Sequence, residues 1–181
     1  QFRNALLRLL DEKTLHRITV NEIATEAGFE RSTFYNHYDD QEDLLCQIED
    51  SVIDAIEKVR AASHVFTVNK ANNLEQLVTL CDEQRFVLSR LLSDHGEGHF
   101  ERRVTQVANQ AFIDEYGPAY GTNPEIQLLR VGATASSLQM LKYWLTTDGP
   151  LTASQVAHAL IAIQTAGPVK ALASFQKFQN D

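Results

Sequence analysis

Residues 18–45 read ITVNEIATEAGFERSTFYNHYDDQEDLL, and the punctuation of this stretch decides the fold. Thr19-Val20-Asn21-Glu22 has the Thr-x-x-Glu form of a capping box, in which two side chains satisfy free backbone N–H groups at a helix start. Ile23, Ala24 and Ala27 follow as a short apolar stripe, and Gly28 stands where a residue tolerant of positive φ ends a helix. A second short helix is expected over Arg31–His37. Two short helices joined by a tight glycine turn outline a helix-turn-helix. Such a unit needs its first helix packed across the second, so that the second projects from the body. Phe34 and Tyr38, four apart, are predicted to anchor the second helix. Its other face then carries Arg31, Ser32, Thr33, Tyr35, Asn36 and His37, hydrogen-bonding groups suited to base edges and phosphates.

Upstream, Phe2, Leu6, Leu9 and Leu10 have helical spacing through Asp11. Downstream, Asp39, Asp40, Glu42 and Asp43 form an acidic entry that suits the positive end of a helix dipole. Leu44, Leu45, Ile48, Val52, Ile53, Ile56 and Val59 then carry a long helix to about Ala62. Residues 63–73 read as a connection. Asn73 is expected to cap one helix over Leu74–Ser93, followed by a glycine-containing loop at Asp94–Gly98 and a helix from His99 to Tyr116. Asn123-Pro124 is a cap followed by a helix-starting Pro, opening a helix to about Thr147. Thr152-Ala153-Ser154-Gln155 is a second capping box, opening a helix to about Ala166. Gly167-Pro168 breaks the chain before a short terminal helix. The expected fold is all-α with about nine helices: a helix-turn-helix domain over 1–46 and a helical effector-binding and dimerisation domain over 47–181.

Composition agrees. Only 8 Gly and 4 Pro in 181 residues favour long helices, and a 44% hydrophobic share can fill a sizeable core. The net charge of −8 argues against coating of nucleic acid by the whole surface. Cys46 and Cys81 are too few and too far apart for a disulfide scaffold or a spaced metal motif. With no signal pattern and no apolar run long enough to span a bilayer, a cytoplasmic setting without membrane contact is expected.

Residues 18–45 also resemble the DNA-binding domain of the tetracycline-repressor (TetR-like) family. The likeness lies in Ile18-Thr19-Val20, Ile23-Ala24, Ala27-Gly28, Arg31, Thr33-Phe34-Tyr35, His37-Tyr38 and Leu44-Leu45, in unbroken register. It implies a homodimer on palindromic double-stranded DNA, with one recognition helix in each major groove. It further implies phosphate contacts from Thr19, Tyr35 and His37, and base or near-base contacts from Arg31, Ser32, Thr33 and Asn36. Two positions depart from the family pattern: Gln41 stands where a phosphate-binding Lys is frequent, and Glu30 where a small capping hydroxyl is common. Residues 1–50 hold five basic side chains (Arg3, Arg8, Lys13, Arg17, Arg31) against eleven acidic ones, a balance of −6. Phosphate neutralisation supplies most non-specific affinity, so a basic segment preceding Gln1 is expected to supplement this head.

In the C-terminal part, Phe86, Phe100, Phe112, Tyr116, Met140 and Trp144 are candidates for lining an apolar effector pocket. The small-residue run Gly132–Ser137, with Gly132 and Ser136, and the facing Ala157, Leu160, Ile161 and Gln164 are candidates for a four-helix subunit interface. The partner of this domain is expected to be a small-molecule effector or, on a second reading as a co-activator, a partner protein. His95-x-Glu97-x-His99 offers metal-binding side chains, but its glycines argue for a solvated interhelical loop. No nucleophile–base pair, phosphate-binding glycine loop or zinc-hydrolase helix occurs. Catalysis, a cofactor and a metal are therefore not expected.

Overall fold

The computed structural model describes residues 1–62, 70–118, 122–147 and 149–167. Among them stand nine α-helices and no strand. They are α1 (Phe2–Leu9), α2 (Val20–Ala27), α3 (Arg31–Tyr35), α4 (Gln41–Ala62), α5 (Lys70–Glu83), α6 (Arg85–Leu91), α7 (His99–Tyr116), α8 (Pro124–Thr146) and α9 (Ala153–Ala166). Two 3-10 turns, Leu15–Arg17 and Asp94–Gly96, complete the order. The expected terminal helix after Pro168 lies outside the described residues.

Three of the predicted helix starts are built as the sequence specifies, whereas Asn73, expected to cap a helix from Leu74, lies inside α5, which begins at Lys70. Thr19 and Glu22 form both halves of the capping box on α2. Thr152 and Gln155 do the same on α9. Asn123 accepts from the N–H groups of Glu125 and Ile126 at the start of α8, with Pro124 in the first turn.

The single helix expected over Leu74–Ser93 is instead two. The break is at Gln84 (φ −100°, ψ 19°), without Gly or Pro. Arg85, the next residue, is held by contacts elsewhere in the chain. Its Nη1 donates to the Trp144 carbonyl at 2.8 Å, its guanidinium lies 4.4 Å from the Trp144 ring, and Asp82 pairs with its Nε. The guanidinium thereby occupies orphan carbonyls at the C-terminal end of α8, the electronegative end of that helix.

One core runs through both ends of the molecule. Phe2, Leu6, Ile18, Ile23, Phe34, Leu44 and Ile48 are buried at the N-terminal end, and Leu88, Leu91, Phe100, Trp144, Val156 and Leu160 at the other. Continuous α4 carries its apolar stripe from one end to the other, and the expected division at 46/47 falls inside it. No helix among the described residues is long and apolar enough to cross a membrane.

Candidate nucleic-acid interface

The recognition unit is assembled from α1 to α4. Phe34, fully buried, sits under an aromatic cluster: Phe2 at 5.3 Å edge-on and Tyr38 at 5.3 Å between ring centroids. Phe2 also meets Phe29 and Tyr38. This cluster is what holds α3. At five residues the helix is far too short to persist alone, and its N-cap Glu30 makes no side-chain capping bond. Gly28 makes the turn in the left-handed region (φ 75°), and its N–H and that of Phe29 close the end of α2.

With Phe34 turned inward, the other face of α3 is presented outward. Arg31, Ser32, Tyr35, Asn36 and His37 are exposed and Thr33 is half-buried. Thr19 is exposed at the start of α2. The helix itself stops at Tyr35, so Asn36 and His37 occupy its C-terminal turn rather than its interior. A cleft between α2 and α3 is lined by Asn21, Thr25, Gly28, Phe29, Glu30, Arg31 and Thr33. Asn21 and Thr25 are polar members of this surface that the spacing argument passed over, because they read as the solvent face of an amphipathic helix.

Three of these groups are already engaged. Arg31 Nη2 donates to the Tyr35 hydroxyl at 2.8 Å, with the guanidinium 5.3 Å from the ring. The pair shares one i, i+4 face and presents a cation and a hydroxyl side by side. Thr19 Oγ1 donates to Glu22 Oε2 at 2.9 Å and accepts from the Glu22 N–H. Lys13 pairs with the same carboxylate at 2.6 Å. The Lys13 hydrogen bond, then those from the Thr19 backbone and hydroxyl, hold the Glu22 carboxyl down at about 2. Arg8 is likewise paired, with Glu26 at 2.7 Å, and Arg3 donates to Ser51. The acidic surplus of the head is thus partly spent on its own cations, while Arg17 is exposed beside Thr19.

The segment 94–99 is the partly solvated interhelical loop expected, but it also makes contacts that the expectation lacked. It joins the head to the rest of the chain. His95 Nδ1 lies 2.8 Å from the Leu10 carbonyl oxygen, Glu97 Oε1 lies 2.9 Å from His16 Nδ1, and His99 Nδ1 lies 2.8 Å from Glu49 Oε2. Arg90 adds a pair with Asp11 at 2.9 Å. Arg103 reaches α4 as well, pairing with Glu49 at 2.9 Å and with Asp50. A Cβ on Gly96 would collide with the Leu91 carbonyl, so the tight turn needs glycine there.

Beyond the head, a cavity of about 230 Å3 lies between α4, α5, α6, α7 and α8. Its wall is aliphatic, from Ile53 and Ile56 on α4 through Val104 and Val107 on α7 to Leu138 and Leu141 on α8, with Arg60 as the charged member. Burial pushes the Cys81 thiol up to about 12, so it lines the wall as a neutral group. Of the six expected lining residues, Phe100 lies on this wall. Phe86 is exposed beneath the Arg90 guanidinium. Trp144 is buried under Arg85, its Nε1 donating to the Leu151 carbonyl at 3.0 Å. Phe112 and Met140 are half-buried off the wall, and the Tyr116 side chain lies outside the described residues. The reason is angular. On α7 the wall runs Phe100, Val104, Val107, Ala108, Ala111, and on α8 it runs Leu138, Leu141, Leu145. Phe112, Met140 and Trp144 each sit one residue from such a position, about 100° around the helix.

The expected interface residues also divide. Ala157 and Leu160 are buried in the core of the single chain, where α9 packs against α5. They turn inward because α9 shields its own chain. Gly132 and Gln164 remain exposed and Ser136 and Ile161 half-exposed, with Gln164 Nε2 donating to Ser137 at 3.1 Å. Leu128, Leu129, Val131 and Tyr143 are more than half exposed on α8. The small-residue signal drew the reading to the middle of this helix and away from its apolar ends.

Comparison with known proteins matches residues 3–48 to the family described as bacterial regulatory proteins, tetR family. The chain is 27% identical over 115 residues to an uncharacterized HTH-type transcriptional regulator, YxbF, of Bacillus subtilis (strain 168). That alignment covers 61% of this chain, and the chain spans 30% of that relative's length. A TetR transcriptional regulator from Streptococcus agalactiae 2603V shares the fold with a TM-score of 0.63 and 22% identity, over 90% of both chains. The transcriptional regulator FadR from Bacillus subtilis, solved in complex with stearoyl-CoA, shares it with a TM-score of 0.60 and 14% identity, over 92% of this chain and 97% of that one. Residues 3–48 are thus matched as a helix-turn-helix of the tetR family, carried on an all-α fold that the chain shares with solved regulators.

Proposed function

We propose that the chain is a sequence-specific transcriptional repressor that binds a palindromic operator as a homodimer and leaves it when an effector binds. The observation that carries this reading is the outward polar face of α3, clamped to the core by Phe34. Thr19, Tyr35 and His37 hold phosphates, while Arg31, Ser32, Thr33 and Asn36 face the bases. The exposed leucines and valine of α8, with Gly132, Ser136, Ile161 and Gln164, form the surface that pairs the two copies.

The effector site is the aliphatic cavity. Its volume is below the roughly 300–1,000 Å3 of sites for drug-sized molecules. A larger apolar effector therefore has to part the helices around it. Four wall residues, Ile53, Ile56, Val59 and Arg60, belong to α4, and α4 also holds the head through Leu44, Leu45 and Ile48. Displacing α4 changes the spacing of the two heads, which must match major grooves about 34 Å apart. The effector acts only through its higher affinity for the displaced state. The stearoyl-CoA in the Bacillus subtilis FadR structure makes an acyl chain the first effector to try. The same cavity favours a small molecule over a partner protein as the occupant of this domain.

Selection of bound sequences from random duplex DNA tests the reading. Two inverted half-sites about one helical turn apart are expected. Recovery of no common sequence at low salt would remove it.

A further inference from the structure

We propose that Cys46, Glu49 and His99 form a binding site for a borderline divalent transition metal, of which zinc is the type, at the joint between α4 and α7. Cys46 and Glu49 are one turn apart on the same face of α4, and His99 is the first residue of α7. Their Sγ, carboxylate oxygen and imidazole nitrogen all lie within 4.8 Å of one another, the one such group of three donors among the described residues. Around a tetrahedral ion with bonds of about 2.0–2.3 Å, donors stand roughly 3.5 Å apart. Closing the site thus needs side-chain rotation of about an ångström, with the 2.8 Å His99–Glu49 hydrogen bond opening to admit the ion.

The donor set selects the metal. One thiolate, one imidazole and one carboxylate mix soft and hard ligands, which suits zinc or cobalt(II) and not calcium or magnesium. The charges also close. A dication meets the Cys46 thiolate and the Glu49 carboxylate, leaving the site neutral. Arg103, which pairs with Glu49 in the metal-free chain, would be repelled by the ion and keep its pair with Asp50. Three protein ligands leave a fourth position for water, the open arrangement of exchangeable sites. Glu49 is 1% exposed, so its position is fixed by packing before any ion arrives. The site spans the head-bearing helix and the helix that begins the cavity wall at Phe100, so an ion there would pin one to the other.

Cobalt(II) is the probe, added to the full-length reduced protein. One ion per chain is expected, with a thiolate-to-cobalt charge-transfer band in the near ultraviolet. Cys46→Ser should abolish the band, His99→Gln should weaken binding at least about tenfold, and Cys81→Ser should change neither. Zinc should displace the cobalt and raise the melting temperature of the wild type but not of Cys46→Ser. Absence of the band in the wild type overturns the proposal, whatever the variants do. So does the same band in a folded Cys46→Ser. Neither outcome bears on operator binding, which is measured separately.

Discussion

Arg31 and Tyr35 form one paired unit on the outward face of α3: the hydroxyl accepts from the guanidinium, which also lies beside the ring. If Arg31 reads a base, Arg31→Ala should cost about 1–3 kcal/mol on the specific duplex. Tyr35→Phe should weaken binding similarly on specific and scrambled duplexes if the hydroxyl holds phosphate. Beneath them, Phe34→Ala should destabilise the head by about 3–5 kcal/mol in urea unfolding, since a fully buried ring at the centre of an aromatic cluster is lost. Glu22 gives a pH signature. Its carboxyl sits at about 2 in the folded chain against an ordinary 4.5. The folded state therefore holds its charge more tightly, so the contribution is complete above pH 4.5 and disappears as pH falls towards 2. The pair is exposed and screened, so the effect is modest. Thermal melts of Glu22→Gln should show a shallower acid decline than the wild type across that window.

Among the elements, helix starts marked by a capping box or a cap followed by Pro were legible, the lone Asn73 signal was not a start, and helix partners were not legible. Thr19/Glu22, Asn123-Pro124 and Thr152/Gln155 are local signals, and each built the expected cap. The break at Gln84 carries no local mark; the contacts beside it, from Arg85 to carbonyls some sixty residues away, are not visible in the local sequence. The cavity shows the same limit. Aromatic residue type suggested its wall, but rotation of α7 and α8 put the aliphatic residues there. Phe112, Met140 and Trp144 fell one position aside. The junction was also hidden: nothing near His95, Glu97 or His99 in the sequence names Leu10, His16 or Glu49 as partners. At α3, the missing cap is a correctable weakness. Glu30→Ser should supply a side-chain acceptor and stabilise the head by about 0.5–1 kcal/mol in urea unfolding. Gly28→Ala should cost about 1–2 kcal/mol through its positive φ alone, since a Cβ there meets no neighbour within 4 Å.

For the whole molecule, the acidic balance bears on the proposed binding to DNA. A net charge of −8 and a head in which Arg8 and Lys13 already pair with Glu26 and Glu22 leave little for bulk phosphate. Affinity should fall steeply with salt only in proportion to the few phosphates neutralised, and specificity should rest on the α3 face. In the proposed function the long α4, which contributes to both the head's core and the cavity wall, couples the two, so filling the cavity is a test of that coupling. Ala108→Phe, projecting into the wall, should block an acyl effector and leave operator binding unresponsive to it. The most direct test of the central claim is fluorescence anisotropy of the full chain on its selected duplex and on a scrambled duplex at matched salt, with Arg31→Ala alongside. The account predicts tight binding to the selected duplex, much weaker binding to the scrambled one, and a gap that narrows in Arg31→Ala. Equal affinity for both duplexes, unchanged by the substitution, would contradict it.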